Sequence, residues 1–512
     1  MPADRLTIPV VLRRRAEENA ATRFLVTDDA EITYRDLDEA TRRVASALVR
    51  SGAGKGTRVG LLMPNGIDWA VIACGIMRSG AVLVPLSTFL RPPELRAQLR
   101  TAGVEHLVLT PTFRDRDYLA DLESLSLAGL VTNAPVEAVR DQTDLNDSES
   151  EFVDGLDAAV RPADDMVVIF TSGSRGAPKG VIHTHGGALG AVASSLAPRC
   201  LERGDRLYIP MPFFWMGGFG GGLLSALVAG ATLLTESEPE PTRTLALLER
   251  ERVTLFRGWP DQAAALAAHP AFASVDLGAL KDGSLEGVLP PERRRPPGAR
   301  SNLFGMTESF GPYCADRLDT DLPEDKWGSC GRPFPGMEVR IVDLDGTPVL
   351  PGTNGEIQLR GPNLMRGICG RLRSEVFTPD GFYPTGDVGR LDNDGYLFFA
   401  GRRDDMLKVK GATVYPSEVE AALCAVPGVR RAFVVDVDDT GTVALGAAVV
   451  LDDGAAATAD DLTREAKARL SAFKVPSRWA VVEMGDVPMT ATGKVDKSAL
   501  RALVARGDTV HP

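Results

Sequence analysis

One short segment concentrates the side chains and turns that a phosphate group needs. The segment 171–180 reads TSGSRGAPKG and contains three glycines, three hydroxyl side chains and one lysine. It directly follows MVVIF (166–170), an apolar run that is typical of a buried strand. Hydroxyls, backbone amides and a lysine cation can together surround a polyphosphate. A solvated Ser/Gly loop has the same composition, so these residues alone leave both interpretations open.

The segment does not have the pattern of a Walker A loop. That motif needs Gly-Lys followed by Ser or Thr, whereas here Pro178 precedes Lys179 and Gly180 follows it. Pro178 also lacks an N–H group that could donate to a phosphate. If the segment binds phosphate, the site is therefore of another type.

Four further segments carry groups that suit a nucleotide. NLFGMTESFG (302–311) offers an aromatic ring for a base, a hydroxyl for a phosphate and a carboxylate for Mg²⁺. YPTGDVG (383–389) places a carboxylate after a tight turn, where it can bind a ribose diol or cap its own backbone. GRRDDMLKVKGATVYPSEVE (401–420) adds an arginine for phosphate or ribose oxygens. PMTATGKVDKSAL (488–500) adds a lysine in a loop. Taken singly, each also fits an ordinary turn or loop.

In this order and at these separations, the segments resemble the motifs of the adenylate-forming superfamily. That superfamily contains acyl-CoA synthetases, peptide-synthetase adenylation domains and firefly luciferase. TSGSRGAPKG is similar to its phosphate loop, NLFGMTE to its YGxTE motif and YPTGD to its TGD motif. The segment 401–420 is similar to its hinge motif and PMTATGKVDK to its C-terminal lysine motif. The resemblance extends from residue 32 to Leu500 and favours the acyl-CoA synthetase, or fatty-acid–CoA ligase-like, branch.

The resemblance implies a reaction in two halves. A carboxylate attacks the α-phosphate of MgATP to give acyl-AMP and pyrophosphate, and the thiol of coenzyme A then takes the acyl group and releases AMP. ATP, Mg²⁺ and coenzyme A are the implied cofactors. An acyl-AMP ligase that loads the phosphopantetheine of an acyl carrier protein shares the first half and is the alternative. A relative that only binds is disfavoured, because the site residues are retained.

The resemblance also assigns roles around the nucleotide. Lys494, Thr307 and Glu308 are the expected catalytic residues, and Glu308 is the expected Mg²⁺ ligand. Asp404 is the expected hinge of a C-terminal domain that rotates between the two halves of the reaction. Gly411 is expected to line the entry of the thiol. The expected cofactor-binding residues are Thr171, Ser172, Gly173, Ser174, Lys179, Asn302, Phe304, Asp387, Arg402 and Gly411.

The chain departs from the family's pattern at IPMPFFWMGGFGGG (209–222). Trp215 stands where relatives often carry a histidine, and the stretch has no acidic residue to meet an α-ammonium group. This favours an apolar acid, fatty or bulky and hydrophobic, over an amino acid. KDGSLEG (281–287) likewise replaces a GGAP-like strand that touches adenine in relatives. The expected substrate-binding residues are Phe214, Trp215, Gly217, Trp259, Gly305 and Met306.

Strand-length apolar runs alternate with helical segments and provide the framework for these loops. RVGLLMP (58–64), AVLVPLS (81–87) and HLVLT (106–110) are predicted strands, separated by predicted helices at 68–80 and 92–103. This order predicts an α/β fold with parallel sheets covered by helices.

The pattern changes after about residue 325, where 337–361 alternates apolar and polar residues and predicts a small antiparallel unit. We expect a large N-terminal adenylation domain (1–403) of βαβ-type sheets covered by helices, with a small β-barrel-like subdomain. A small, mobile α+β lid domain (404–512) is expected to follow. Its predicted elements are a helix at 417–426, strands at 430–438 and 442–451, and a helix at 460–473.

Bulk properties narrow the class of protein. A chain of 512 residues with a net charge of −12 is too long for one core, and it lacks the basic balance of a nucleic-acid scaffold. The six cysteines are scattered without a paired motif, which favours reduced thiols in the cytoplasm. No signal-peptide pattern and no apolar run of the ~20 residues needed to span a membrane is found. We expect a cytoplasmic monomer or homodimer.

Overall fold

The fold is α/β with mixed sheets, a large N-terminal part and a smaller C-terminal part. The computed structural model describes residues 6–124, 131–135, 145–171, 179–403, 407–409, 412–414, 416–439, 442–470, 474–489 and 495–506. The strands and helices predicted between residues 58 and 110 are confirmed, with ends that differ by a few residues.

Helices are numbered α1 to α14 along the described residues, with one π-helix at Phe219–Leu224. They are α1 Ile8–Asn19, α2 Tyr34–Arg50, α3 Ile67–Arg78, α4 Pro92–Ala102, α5 Tyr118–Ser124, α6 Asp147–Ala159, α7 His185–Ser195, α8 Met216–Gly218, α9 Ser225–Ala229, α10 Pro241–Arg250, α11 Pro260–Ala267, α12 Pro416–Cys424, α13 Ala459–Arg469 and α14 Lys497–Ala505.

Strands are numbered β1 to β25 in the same way. They are β1 Arg23–Val26, β2 Glu31–Thr33, β3 Arg58–Leu62, β4 Val82–Leu86, β5 His106–Leu109, β6 Thr112–Phe113, β7 Arg116–Asp117, β8 Val131–Pro135, β9 Asp165–Thr171, β10 Lys179–Thr184, β11 Arg206–Tyr208, β12 Thr232–Leu234, β13 Leu255–Phe256, β14 Phe304–Met306, β15 Gly311–Cys314, β16 Glu338–Val342, β17 Gly355–Arg360, β18 Gly367–Ile368, β19 Tyr383–Leu391, β20 Leu397–Arg402, β21 Leu407–Val409, β22 Ala412–Val414, β23 Val429–Asp439, β24 Thr442–Leu451 and β25 Arg478–Val481.

A seven-stranded sheet in the order β18-β10-β9-β4-β3-β5-β8 carries the phosphate-loop segment. Its strands from β9 to β8 are parallel, whereas β10 runs antiparallel to both β9 and β18. Strand β4 is buried along its whole length, as expected for a parallel strand covered on both faces. The predicted parallel arrangement is thus confirmed, with an antiparallel edge added.

A five-stranded sheet in the order β13-β11-β12-β1-β2 lies in the same part of the chain. Its strands β13, β11, β12 and β1 are parallel, and β2 folds back antiparallel to β1. The glycine-broken apolar stretch 219–234 supplies the π-helix, α9 and β12, and most of its large apolar side chains belong to the main core. None of the helices in the described ranges is long and apolar enough to cross a bilayer.

A buried ion network joins four helices. Arg78, at the end of α3, is fully buried and donates to both carboxylate oxygens of Asp157 on α6, at 2.9 and 2.7 Å. The same guanidinium donates to Asp38 Oδ1 on α2 at 2.7 Å and to Thr41 Oγ1 at 2.9 Å. Arg13 on α1 adds a contact to Asp157 at 3.0 Å. These contacts satisfy charges that would be costly to bury alone.

The chain divides into two compact units. The first comprises Met1–Val339, Leu359–Tyr383 and Gly395–Leu397, and the second comprises Arg340–Gln358, Pro384–Asp394 and Phe398–Pro512.

The second unit has its own core and contains most of a four-stranded sheet in the order β16-β17-β19-β20. That sheet forms where a small β-barrel-like subdomain was expected. Further along the unit, a sheet in the order β23-β24-β25 packs with α12, α13 and α14 in the predicted α+β arrangement. The domain boundary between residues 403 and 404 stays a prediction.

We expect Arg78→Met to destabilise the first unit by about 3 kcal/mol, because removing one partner leaves the buried Asp157 carboxylate poorly compensated. The matched control is Arg14→Met. It removes an exposed ion pair to Glu18 on the same helix (2.6 Å) and should cost below ~1 kcal/mol. Urea and thermal unfolding midpoints measure both variants. Equal midpoints for the two variants would show that the buried network does not hold the helices together.

Stability should also fall as His185 is protonated. Burial lowers the pKa of this histidine from 6.5 to about 3; to a smaller extent, Asp164 raises the pKa and Lys55 lowers it. Its Nδ1 accepts a hydrogen bond from the Ile8 N–H at 3.3 Å, which protonation would abolish. A folded-state pKa below the unfolded value gives stability that is present above about pH 6.5 and is lost as the pH falls toward the folded value.

Between about pH 7 and pH 5 the expected loss from His185 is about 2 kcal/mol, since one pKa unit corresponds to ~1.4 kcal/mol. Replacement by His185→Gln should flatten the pH dependence of the unfolding free energy in that window, while His183 remains in both proteins. An unchanged slope would mean that the pKa of His185 is the same in the folded and the unfolded state.

Candidate active site

The two ends of the phosphate-loop segment lie opposite each other. Thr171 ends β9 and Lys179 begins β10, and they are paired across the antiparallel strands. Both side chains are half-buried. Ser172, Gly173 and Ser174 lie outside the described residues, so the phosphate contacts of the segment stay a prediction.

His183 connects β10 to the segment that carries Thr307. The imidazole is fully buried, its Nε2 lies 2.8 Å from the Thr307 carbonyl oxygen, and its ring packs edge-on against Phe310 at 4.9 Å. Burial lowers the pKa of His183 to about 4, so the ring is neutral at neutral pH. Nε2 then carries the proton and donates to the carbonyl. The histidine therefore has a structural role between β10 and the turn that carries Thr307.

A tight turn presents Thr307 and Glu308. Residues Thr307–Ser309 form one 3₁₀ turn between β14 and β15, and Phe310 follows in the left-handed region at φ 52°. A non-glycine residue there costs of order 1 kcal/mol and is held by surrounding contacts. Ser309 supplies such contacts, since its hydroxyl lies 3.1 Å from the Met306 carbonyl and 2.7 Å from the Gly311 carbonyl.

The Glu308 carboxylate is buried and oriented by a neighbouring phenol. Only 8% of the residue is exposed, and the Tyr383 hydroxyl donates to its Oε1 at 3.2 Å. The backbone carbonyl of Glu308 accepts from the Met365 N–H at 2.8 Å. The side chain and the backbone of Glu308 are therefore both fixed within the first unit.

The other residues predicted from NLFGMTE lie on or beside β14. Asn302 is exposed, Phe304 packs edge-on against Tyr313 at 5.5 Å, and Met306 is half-buried. Gly305 is exposed, but a Cβ at this position would lie 2.1 Å from the Gly311 carbonyl oxygen. Only glycine permits this close approach of β14 to β15.

Asp387 and Arg402, predicted separately, form an ion pair within the second unit. Arg402 Nη1 lies 2.7 Å from Asp387 Oδ1 and donates to the Thr385 carbonyl at 3.2 Å. The Asp387 N–H donates to the Thr385 hydroxyl at 2.9 Å, which fixes the turn. Asp387 is buried, whereas the Arg402 side chain is 37% exposed and lines a cleft of about 390 Å³. Roles toward ribose or phosphate stay predictions for both residues.

Three further predicted residues lie outside the described residues. They are the catalytic Lys494, the hinge Asp404 and the thiol-tunnel Gly411.

Three predicted substrate residues meet in one aromatic group. Trp215 packs against Phe214 at 5.3 Å and against Trp259 at 5.9 Å, both edge-on. Phe214 is buried, Trp215 is half-buried and Trp259 is 40% exposed. Gly217 follows in α8, where an added Cβ would lie 2.3 Å from Met211 Sδ. The group is therefore packed on one side and open on the other.

Two residues that contact the site were not predicted from the sequence, Phe89 and Tyr383. Phe89 joins the aromatic group, 5.8 Å from Phe214 and 6.0 Å from Trp215, although it lies more than a hundred residues earlier in the chain. Its one clue is its position just past the carboxyl end of β4, where ligands often bind parallel sheets. Tyr383 belongs to the YPTGD segment, but only the Asp387 carboxylate of that segment was assigned a role.

Comparison with known proteins gives a consistent result. The AMP-binding enzyme family model matches residues 12–369, and the AMP-binding enzyme C-terminal domain model matches residues 418–494. Feruloyl-CoA synthase from Amycolatopsis sp is 34% identical over 482 residues, covering 92% of this chain and 93% of the relative. Indoleacetate–CoA ligase from Aromatoleum aromaticum is 31% identical over 490 residues, covering 93% and 94%.

A solved structure agrees with these relatives. The anthranilate CoA ligase AuaEII, in complex with anthranoyl-AMP, has a TM-score of 0.82 and 25% sequence identity to this chain, covering 98% of this chain and 99% of that one. The main family model covers most of the chain, and the relatives match it almost from end to end. The chain therefore belongs to the AMP-binding enzyme family of the adenylate-forming superfamily and is an AMP-forming acid–CoA ligase.

Proposed function

We propose that the enzyme activates an apolar carboxylic acid as acyl-AMP, with release of pyrophosphate. It then transfers the acyl group to coenzyme A by alternation of the C-terminal domain. The observation that carries the substrate class is the aromatic group of Phe89, Phe214, Trp215 and Trp259, which offers apolar ring faces and edges to an acid. Relatives named for feruloyl and indoleacetate substrates support an acid with a ring body.

The first half of the reaction requires charge to be neutralised around the α-phosphate. We assign Thr171, Ser172, Gly173, Ser174 and Lys179 to the β- and γ-phosphates. Thr307 and Lys494 are assigned to the α-phosphate. The hydrogen bond from His183 to the Thr307 carbonyl fixes the backbone of the turn, so Thr307 is positioned before ATP binds. Such preorganisation avoids rearrangement at the moment of reaction.

The nucleoside is assigned to four other residues. Asn302 and Phe304 are assigned to adenine, Asp387 to the ribose, and Arg402 to the ribose or phosphate region. The acid is assigned to the aromatic group with Gly217, Gly305 and Met306.

The Glu308 carboxylate fits the role of a Mg²⁺ ligand. Mg²⁺ prefers oxygen donors and usually takes one or two carboxylates together with substrate phosphates. Glu308 supplies such an oxygen in a buried position, and Tyr383 holds one of its two carboxylate oxygens by a hydrogen bond. Bound Mg²⁺ would neutralise charge on the phosphates of ATP.

With ATP and an apolar acid, the wild-type enzyme should release pyrophosphate, and added coenzyme A should yield a thioester and AMP. Suitable acids are phenylpropanoate, indoleacetate and octanoate. Trp259→Ala should raise the KM for the acid about 10-fold, because an aromatic contact is lost. The matched control is Trp327→Ala, since Trp327 is another tryptophan that is 40% exposed and should leave the KM unchanged.

Coupled pyrophosphate and AMP assays give these values. If acyl-AMP forms but does not react with free coenzyme A, the result would favour the alternative, an acyl-AMP ligase that loads a carrier protein. Absence of pyrophosphate release with every acid would contradict the proposed function.

Lys494→Ala separates the two halves of the reaction. Loss of the cation that bridges the acid and the α-phosphate should slow acyl-AMP formation about 10²–10³-fold. Conversion of supplied acyl-AMP to thioester should be retained, because the lysine loop is expected to leave the site in that half. Lys467→Ala, on the exposed face of α13, is the matched control and should leave both halves unchanged. Equal loss of both halves would contradict domain alternation.

A further inference from the structure

Two arginines form a cationic pair inside the first unit without a carboxylate partner. Arg257 Nη2 donates to the Arg199 carbonyl at 2.5 Å, and Arg199 Nε donates to the Ser195 hydroxyl at 3.2 Å. Across the described residues, no carboxylate oxygen lies within the 4.0 Å of an ion pair from either guanidinium. Asp319 is close enough to influence Arg257, but its oxygens are bonded to Arg317 at 3.0 and 2.6 Å.

The two positive charges lie close together in a poorly solvated site, which favours binding of an anion. Burial, together with the charge of Arg257, lowers the pKa of Arg199 to about 9. Burial also lowers the pKa of Arg257 to about 10, partly offset by Cys200 and Asp319. Both groups remain charged at neutral pH, so two like charges share a site of poor solvation. A half-buried cation with no counter-ion is unfavourable, and a bound anion would offset that cost.

The arginine pair contacts the helical segment that starts after Trp215. A Cβ at Gly221 of the π-helix would lie 3.3 Å from Nη1 and 3.4 Å from Nη2 of Arg199, so this guanidinium packs directly against the glycine, in the space that a side chain would fill. The preceding Gly220 faces the ring of Phe310 in the same way, at 3.3 Å. Trp215 caps the start of this helical segment, roughly 9 Å from Gly221 at 1.5 Å per residue.

The segment after β13 carries both Arg257 and a member of the aromatic group. Arg257 directly follows β13 and stands two residues before Trp259, whose ring contacts Trp215. Its Nη2 also lies 3.4 Å from where Gly283 would carry a Cβ. Arg199 and Arg257 are both half-buried, so each retains solvent-accessible surface that a ligand can contact.

We propose that Arg199 and Arg257 form the far end of the acyl pocket and select acids whose remote end carries an oxygen acceptor, with a second carboxylate bound best. Guanidinium groups bind carboxylates through paired, charge-assisted hydrogen bonds, which suits this role. The inference rests on the proposed function and refines it. The aromatic group would hold the apolar body of the acid, and the arginine pair its polar end.

The wild-type enzyme provides the first test, through matched acids that differ only at the remote end. Phenylpropanoate is compared with its para-hydroxy and para-carboxy derivatives, and the monoacids from hexanoate to decanoate with the corresponding α,ω-diacids. Pyrophosphate release should show a kcat/KM at least about 10-fold higher for the oxygen-bearing member of a pair, since a hydrogen bond to a charged group carries about 1.5–3 kcal/mol.

Arg199→Met and Arg257→Met provide the second test. Each should lower kcat/KM for the preferred acid about 10- to 100-fold, mainly through KM, and leave kcat/KM for its apolar partner within about 2-fold. Arg199→Lys, which keeps the charge, should recover part of the preference. The matched control is Arg203→Met, because Arg203 is an exposed arginine in the same segment that donates to the Glu18 carbonyl at 2.9 Å. It should behave as wild type.

The outcomes separate this inference from the proposed function. Activity with the apolar acids but no preference for any oxygen-bearing partner would overturn the inference and leave the proposed function intact. Equal loss for both members of every pair in both Met variants would show a structural role and would also overturn it. No pyrophosphate release from any acid would mean that the proposed function itself fails. The wild-type comparison decides the matter even if a variant does not fold.

Discussion

The arrangement of the active site depends on one buried hydrogen bond, from His183 to the carbonyl of Thr307. It joins the strand that follows the phosphate-loop segment to the turn that presents Thr307 and Glu308, two segments that lie 124 residues apart in the sequence. Since the imidazole is fully buried and neutral, the bond is shielded from bulk solvent in the folded state. The bond therefore fixes the spacing between the expected sites of the leaving pyrophosphate and of the reacting α-phosphate.

Neighbouring segments reinforce this bond. The backbone N–H groups of Met365, Arg366 and Cys369 donate to the carbonyls of Glu308, Ile182 and Gly180, each at 2.8 Å. One short segment thus bonds both the strand and the turn. On the other side, Phe310 packs on His183 and on Phe219, which contacts Trp69 in the main core. The turn tolerates a left-handed Phe310 because packing and hydrogen bonds hold it on every side.

The proposed acyl-binding side of the site combines an apolar, aromatic environment with a cationic one. The aromatic group around Trp215 supports the expectation of an acid with an apolar body. The pair of Arg199 and Arg257 departs from that expectation, because the two cations are half-buried and have no counter-ion among the described residues. Unfavourable arrangements of this kind occur mainly at functional sites. A single pocket with an apolar wall and a cationic end would distinguish acids by their remote group as well as by their body.

The amino-acid sequence by itself determined the family, the α/β class and the identity of most candidate site residues. Short segments carry this information, namely alternating apolar runs, turn glycines and motifs such as NLFGMTE. The chemistry of such motifs depends on residues that are only a few positions apart. The strands and helices between residues 58 and 110 and the α+β elements after residue 416 followed from the same local patterns.

Tertiary structure alone decided which distant groups meet. His183 and Thr307 are separated by 124 residues, Tyr383 and Glu308 by 75, and Arg257 and Arg199 by 58. Nothing in the residues around Arg199 distinguishes it from a surface arginine such as Arg203 four positions later. The difference comes from packing, because the π-helix and the end of β13 enclose one side chain and leave the other in solvent. Desolvation, the property that gives the pair its proposed role, exists only once the chain has folded.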